Sequence, residues 1–135
     1  LGVDLQVYID GLISEIFQSY SSENININAN IVSTILDIDT ATSIGLLVNE
    51  LATNSIKYAW KNGKSEKFIN LNIDLKEDEF HFTMFDNGTS KKTKNTKQNY
   101  GSELIEILIE RLEAKKQTLS ENDFGVNITF KKQNG

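Results

Sequence analysis

The chain has 135 residues, enough for one compact domain with a real core and too few for two ordinary domains. Its net charge of −5 at pH 7 argues against binding of nucleic acid or an anionic membrane over its whole surface. Without cysteine it has no disulfide, thiolate metal site or cysteine nucleophile, and its single histidine excludes a multi-histidine metal centre.

The first part of the chain predicts a helix followed by one or two strands. Residues 3–20 carry apolar side chains at helical spacing, so the chain begins inside a helical pattern, as a fragment cut from a longer protein would. Ile25, Ile27 and Ala29 alternate with asparagines and predict a half-buried strand. Residues 33–38 are compatible with either a second short strand or an irregular link.

A long amphipathic helix is predicted around residues 44–61, with Asp39 or Thr40 as its N-cap and its end near Asn62-Gly63. Its apolar stripe consists of Ile44, Leu47, Val48, Leu51, Ser55 and Ala59. A polar row on the other side spans an arc of roughly 60° and consists of Glu50, Asn54, Lys57 and Lys61. Such a row is common on a solvated helix face, but its oxygen and ammonium groups also suit a metal-bound phosphate.

The second half of the chain alternates strand-like and helical patterns. The predicted elements are strands at 67–75 and 79–86 around a charged turn at 76–78, a loop at 87–99, a helix at 100–114, and closing strands at 117–120 and 126–130 around a turn at 122–125. Strands paired by hairpins, with helices on one face, indicate an α+β fold, a two-layer α/β sandwich.

Asp86 ends a predicted strand in which Phe80, Phe82 and Met84 share its face. An acid that continues an apolar face lies at the edge of the core, where a bare carboxylate is costly to bury without a donor. It either accepts a hydrogen bond from a ligand or begins a turn, because Asp86-Asn87-Gly88 is also a strong turn sequence.

The segment Asn49–Ala59, NELATNSIKYA, resembles the N box of histidine kinase catalytic domains, which belong to the GHKL or Bergerat-fold ATPase superfamily. Asp86-Asn87-Gly88 resembles the G1 box of that family, Gly101 with Leu104 resembles its G2 box, and Gly125 fits its last glycine. The resemblance covers about residues 1–132. It implies a mixed sheet of about five strands covered on one face by three helices, within a single catalytic domain over residues 1–135.

The same resemblance implies ATP and Mg²⁺ as cofactors and a role for individual residues. Glu50, Asn54 and Lys57 would be catalytic, and Asn54 with Glu50 would hold Mg²⁺. Asp86 would accept a hydrogen bond from the exocyclic amine of adenine. The cofactor-binding residues implied are Asn54, Lys57, Tyr58, Asp86, Gly88, Gly101, Ser102 and Leu104.

Residues 89–99 occupy the position of the family's ATP lid and carry four lysines without an acid. This composition favours attraction of a triphosphate, and it is equally typical of a solvated loop. The sequence lacks two residues that are common in the family's boxes. Ser90 stands where the G1 box often has another glycine, and Val126 stands where a threonine often follows the last glycine. Glu103, at the phosphate end of the third helix, would either repel a triphosphate or stabilise the helix N-terminus.

The resemblance implies an enzyme, the ATP-binding catalytic domain of a two-component sensor histidine kinase. It would transfer the γ-phosphoryl group to a histidine on a separate dimerisation domain outside this chain, since His81 is interpreted as an ordinary sheet-face residue. Trp60 and Tyr100 are interpreted as packing residues. The expected partners are that dimerisation domain, a response regulator and a second copy of the parent protein, with no nucleic acid, and the domain would lie in the cytoplasm.

Two other functions stay open at this point. The first is a degenerate domain of the same fold, with weak or no nucleotide binding, that docks or regulates other proteins. The second is an anti-sigma-type serine kinase, which shares the site chemistry.

Overall fold

The computed structural model describes residues 2–60, 66–88, 102–119 and 124–133. These residues form a five-stranded mixed sheet, three α-helices and a separate two-stranded ribbon. In chain order the elements are β1 (Gly2–Asp4), α1 (Leu5–Ser19), a 3₁₀ turn (Ser21–Glu23), β2 (Ile25–Ile31), β3 (Ile35–Asp37), α2 (Ile38–Tyr58), β4 (Lys67–Lys76), β5 (Glu79–Asp86), α3 (Glu103–Arg111), β6 (Lys115–Lys116) and β7 (Phe124–Lys131). The α+β sandwich expected from the sequence is confirmed.

The strand order of the large sheet is β2-β4-β5-β7-β6. β2 runs parallel to β4, and the other neighbouring strands are antiparallel. β4 and β5 form a hairpin whose turn residues Glu77 and Asp78 have φ values of 49° and 65°, as a tight two-residue hairpin turn requires. The predicted charged turn is therefore confirmed.

One face of the sheet forms the core. On β5, Phe80 and Phe82 are fully buried and Met84 is nearly so, while the residues between them are half-buried on the other face. Because strand side chains alternate between the two faces, Asp86 falls on the buried face with these three residues. The strand therefore carries a carboxylate into the core beneath the helices.

α2 is the central helix and contacts both α1 and α3. Ten of its 21 residues are buried, which is more than a single apolar stripe would account for. The helices in the described ranges do not include one that is both long and apolar enough to cross a membrane.

The N-cap of α2 is Asp37, so the expectation of Asp39 or Thr40 is wrong. The Thr40 backbone N–H donates to Oδ2 of Asp37 at 3.0 Å. The cause is the β1–β3 ribbon, in which Asp37 pairs with Gly2 and keeps the extended backbone that an N-cap needs. The same ribbon starts α1 at Leu5 rather than at the third residue, with Asp4 as its N-cap.

Asp37 gives a pH-dependent prediction. Hydrogen bonds from the side chain and backbone of Thr40 hold the pKa of Asp37 below its ordinary value of 3.8. The ionised cap therefore stabilises the fold fully above about pH 4 and loses this contribution as the pH falls through the lower folded pKa. Asp37→Ala is expected to lower the free energy of unfolding at pH 7 by about 1 kcal/mol, measured by urea denaturation.

The matched control is Asp39→Asn, an exposed acid in the first turn of the same helix. Asp37→Asn keeps an oxygen for the cap and removes the titrating group. Its difference from the natural chain should therefore shrink below pH 4. A difference that stays constant from pH 7 to pH 3 would contradict this assignment.

The ends of several other elements also differ from the sequence prediction. α3 begins at Glu103 because Ser102 caps it, and it ends at Arg111. The short strand of the closing pair is Lys115–Lys116 rather than 117–120, and beyond it Gln117 N–H still donates to the Asn127 carbonyl. Gly125, placed in a turn by the sequence, lies within β7. The predicted helix end at Asn62-Gly63 lies outside the described residues.

Candidate functional site

The carboxylate of Asp86 is fully buried at the end of β5. The hydroxyl of Ser55, on α2, donates to its Oδ2 at 2.6 Å, and the backbone N–H of Gly88 donates to its Oδ1 at 2.7 Å. Burying an ionised carboxylate is costly, and these two donors offset that cost. The predicted position of Asp86, as an acid that continues the apolar face of β5, is confirmed.

The last residue of β5 and the two residues after it lie against the C-terminal end of α2 and the two residues that follow this helix. Asp86 accepts the hydrogen bond from Ser55, and Asn87 accepts one from the indole N–H of Trp60 at 3.0 Å. At Gly88, a Cβ would lie 2.9 Å from the Ala59 carbonyl oxygen and 2.7 Å from Oδ1 of Asp86. A side chain at Gly88 would therefore disturb both α2 and the buried acid.

Asn87 also joins the end of β5 to the start of β4. Its Oδ1 accepts a second hydrogen bond, from the backbone N–H of Phe68 at 3.0 Å, and its Nδ2 donates to the Glu66 carbonyl oxygen at 2.9 Å. Its backbone N–H donates to the Phe68 carbonyl oxygen. Both the oxygen and the nitrogen of the Asn87 side chain therefore take part in hydrogen bonds.

Asn54 lies on α2, immediately before the serine that bonds Asp86. It is only 7% exposed, and its buried Nδ2 has no hydrogen-bond partner among the described residues. The prediction that Asn54 lies on an outward-facing polar row is therefore wrong. Glu50, one turn earlier, is half-buried, and Lys57 is exposed as expected.

Of the remaining predicted site residues, the structure describes Tyr58, Ser102 and Leu104. Tyr58, the last residue of α2, is half-buried. Ser102 caps α3 by accepting from the Ile105 N–H at 3.2 Å, and Leu104 is 40% exposed. Gly101, Lys61 and the predicted lid at 89–99 lie outside the described residues. The roles of these residues in nucleotide binding stay predictions.

The structure also shows site contacts that sequence reasoning missed. Ser55 was assigned to the apolar stripe, and Trp60 and Asn87 had no partner assigned. The hydroxyl of Ser55 on the apolar stripe and the carboxylate of Asp86 on a core strand are both costly to bury without a partner. This cost is a sequence signal that the two groups would bond to each other. Nothing in the sequence indicates that Asn87 pairs with Trp60, which lies 27 positions away.

His81 lies in the middle of β5, on the sheet face away from the buried Phe80 and Phe82. It pairs in register with Asp74 and Thr129, and its Nε2 lies 3.5 Å from Oε1 of Glu79. The interpretation of His81 as a sheet-face residue is confirmed. The sheet therefore separates His81 from the buried Asp86.

Comparison with known proteins gives matches only at the level of structure. No family model matches the chain, and no curated protein matches it. The histidine kinase domain of the blue-light activated kinase EL346 from Erythrobacter litoralis superposes with a TM-score of 0.79 at 23% identity, over 96% of this chain and 61% of that one. The chain spans 42% of a longer EL346 structure.

Two further histidine kinases show the same likeness. The kinase AdeS of Acinetobacter baumannii matches with a TM-score of 0.74 at 13% identity, over 99% of this chain and 68% of that one. The catalytic domain of the kinase ThkA, in a nucleotide-free form, matches with a TM-score of 0.71 at 14% identity, over 98% of this chain and 95% of that one. The chain therefore has the fold of histidine kinase catalytic domains.

Proposed function

We propose that this chain is the ATP-binding catalytic domain of a sensor histidine kinase. It binds Mg²⁺–ATP between the end of α2 and the end of β5, and it transfers the γ-phosphoryl group to a histidine on a separate dimerisation domain. The observation that carries the proposal is the buried carboxylate of Asp86, held beside α2 in a domain with the histidine kinase fold.

Asp86 and Gly88 supply the adenine end of the proposed site. An ionised carboxylate has about four lone-pair positions, so Asp86 can accept from an exocyclic amine in addition to Ser55 and Gly88. The two donors keep the carboxylate in one orientation, which means that it is prepared before the base arrives. Without a side chain, Gly88 leaves the backbone open to the base.

Asn54 and Glu50 supply the metal end. They lie one helical turn apart on α2, and rotation of the Asn54 amide, whose Nδ2 has no partner among the described residues, presents its oxygen in place of Nδ2. Two protein oxygens fit Mg²⁺, which keeps several waters and takes phosphate oxygens as its other ligands. The described residues include no cluster of three His, Cys, Asp or Glu for a metal, so the ion would enter with the nucleotide.

Catalysis of phosphoryl transfer consists mostly of positioning the phosphoryl group and neutralising its charge. Bound Mg²⁺ supplies charge neutralisation at the phosphate oxygens. Lys57 follows Asn54 by three residues on α2, is exposed, and would pair with a phosphate oxygen, while Glu50 would orient the metal-bound waters or the acceptor. Ser102 and Leu104, with Gly101, would lie at the phosphates near the N-terminus of α3.

The phosphoacceptor must come from outside this chain. His81, the only histidine of the chain, lies on the opposite face of the sheet from Asp86. The proposed partners are therefore a dimerisation domain bearing the acceptor histidine, a second copy of the parent protein, and a response regulator that receives the phosphoryl group. The proposed location of the domain is the cytoplasm, where ATP is available.

The test is calorimetric titration of ATP with and without Mg²⁺, on the natural chain and on Asn54→Ala. We expect Mg²⁺ to strengthen ATP binding to the natural chain, and Asn54→Ala to remove most of that gain, roughly tenfold in affinity. Asn70→Ala, on the exposed sheet face, is the matched control and should bind as the natural chain does. Absence of binding at millimolar ATP would favour the docking module instead.

A further inference from the structure

We propose that Asn87 is a positioning residue for adenine recognition, acting by fastening the turn that carries Asp86 and Gly88 to Trp60. This inference rests on the proposed function and assigns a part in it to two residues with no role so far. It starts from the observation that Asp86 bonds Ser55 near the end of α2 and Asn87 bonds Trp60 just beyond it, while a Cβ at Gly88 would clash with the carbonyl of Ala59 between them.

The geometry of Asn87 fixes its side chain in one orientation. Its oxygen accepts from the Trp60 indole and from the Phe68 N–H, and its nitrogen donates to the Glu66 carbonyl oxygen. If the amide oxygen and nitrogen were exchanged, the NH₂ group would face the N–H groups of Trp60 and Phe68, and the oxygen would face the Glu66 carbonyl oxygen. The flipped orientation is therefore excluded. The residue between the two proposed adenine-binding positions is thereby held from three directions.

Trp60 is the other end of this link. Trp60 is 7% exposed, it follows Ala59, the C-cap of α2, and the ammonium group of Lys67 lies 5.9 Å from the ring centroid. Asn87 therefore ties together the two ends of the connection between α2 and β4, which are Trp60 on one side and Glu66 to Phe68 on the other. A shift of the 86–88 turn on adenine binding must reach the indole N–H of Trp60.

The consequence is a measurable signal, because Trp60 is the only tryptophan of the chain. Its indole N–H gives a single resonance in a ¹H–¹⁵N spectrum. That resonance should shift on addition of ATP in the natural chain. It should also be protected from solvent exchange before ATP is added, because the bond to Asn87 holds it.

The experiment compares Asn87→Ala, Trp60→Phe and a matched control, Asn127→Ala. Asn127 also joins separate segments through its side chain, to Thr83 and to the Thr118 carbonyl, on the sheet face away from Asp86. It therefore controls for the loss of a bridging amide. Dissociation constants for ATP and GTP are measured by calorimetry with Mg²⁺, thermal stability by circular dichroism, and the indole resonance by NMR.

We expect Asn87→Ala to weaken ATP binding by about tenfold, to lower the preference for ATP over GTP, and to lose protection of the indole N–H. Trp60→Phe keeps an aromatic ring but removes the N–H donor together with the second ring of the indole, so its ATP affinity should fall by about threefold with the same loss of preference. Asn127→Ala should retain the affinity, the preference and the indole shift. If Asn87→Ala lowers thermal stability but keeps the ATP affinity and the preference for ATP over GTP, Asn87 has only a structural role.

Asn87→Ala that binds ATP within about twofold of the natural chain, with the same preference over GTP, overturns the inference and leaves the proposed function standing. Equal losses in Asn127→Ala overturn it as well, since they show a general effect of destabilisation. If Asn87→Ala does not fold, Trp60→Phe decides on the same criteria. If the natural chain binds no ATP, the proposed function fails, and the inference fails with it.

Discussion

Replacing Asp86 with asparagine is expected to weaken binding of Mg²⁺–ATP by roughly a hundredfold, the largest loss expected from any single atom change in the site. The carboxylate accepts from the hydroxyl of Ser55 and the N–H of Gly88, and the adenine amine is proposed to donate to it as well. Asparagine has one acceptor oxygen where aspartate has two. At least one of these donors would then face an NH₂ group instead of an oxygen.

The variant is nearly isosteric, so the fold is expected to survive and the loss to appear in binding. Thermal melting checks the fold, and calorimetry with ATP measures the affinity. Asp74→Asn is the matched control, because Asp74 is exposed on the other face of the sheet and pairs with His81. Should Asp86→Asn and Asp74→Asn bind ATP equally well, Asp86 is only a buried turn residue and the adenine assignment is wrong.

The sheet and its buried face could be predicted from sequence, because the relevant signal is local. Phe80, Phe82 and Met84 alternate with polar residues at the period of a strand, and α2 shows the helical period. The fifteen-residue α1 was predicted within a few residues for the same reason. Such repeated local patterns can be recognised without knowing which elements pack against each other.

The features that sequence reasoning missed depend on tertiary contacts. The extended backbone of Asp37 follows from pairing with Gly2, which lies 35 positions earlier. Asn54 is buried although it stands in a polar row of the helical pattern, because burial depends on what packs against a helix and not on the pattern of that helix alone. The bond between Ser55 and Asp86 joins residues 31 positions apart. The site is assembled by such contacts, so its residue types were predictable and its hydrogen bonds were not.

Replacing Gly125 with alanine is expected to destabilise the domain by about 3 kcal/mol and to lower its melting temperature by roughly 10 °C. Gly125 lies in β7, in register with Phe85 on β5. A Cβ at this position would lie 2.0 Å from the Met84 carbonyl oxygen and 2.7 Å from the Phe85 Cα. Both are backbone atoms of β5, an interior strand of the sheet, so neither can move aside as a flexible side chain would.

Gly11→Ala is the matched control for this substitution. Gly11 lies within α1, and a Cβ there would meet nothing within 4 Å. Alanine is the better helix former, so this variant should gain up to about 1 kcal/mol. Thermal melting of both variants measures the contrast. Because Phe85 precedes Asp86, strain at Gly125 is also expected to reach the buried acid and weaken ATP binding. If Gly125→Ala melts within about 2 °C of the natural chain, the strand register that sets β7 against the end of β5 is wrong.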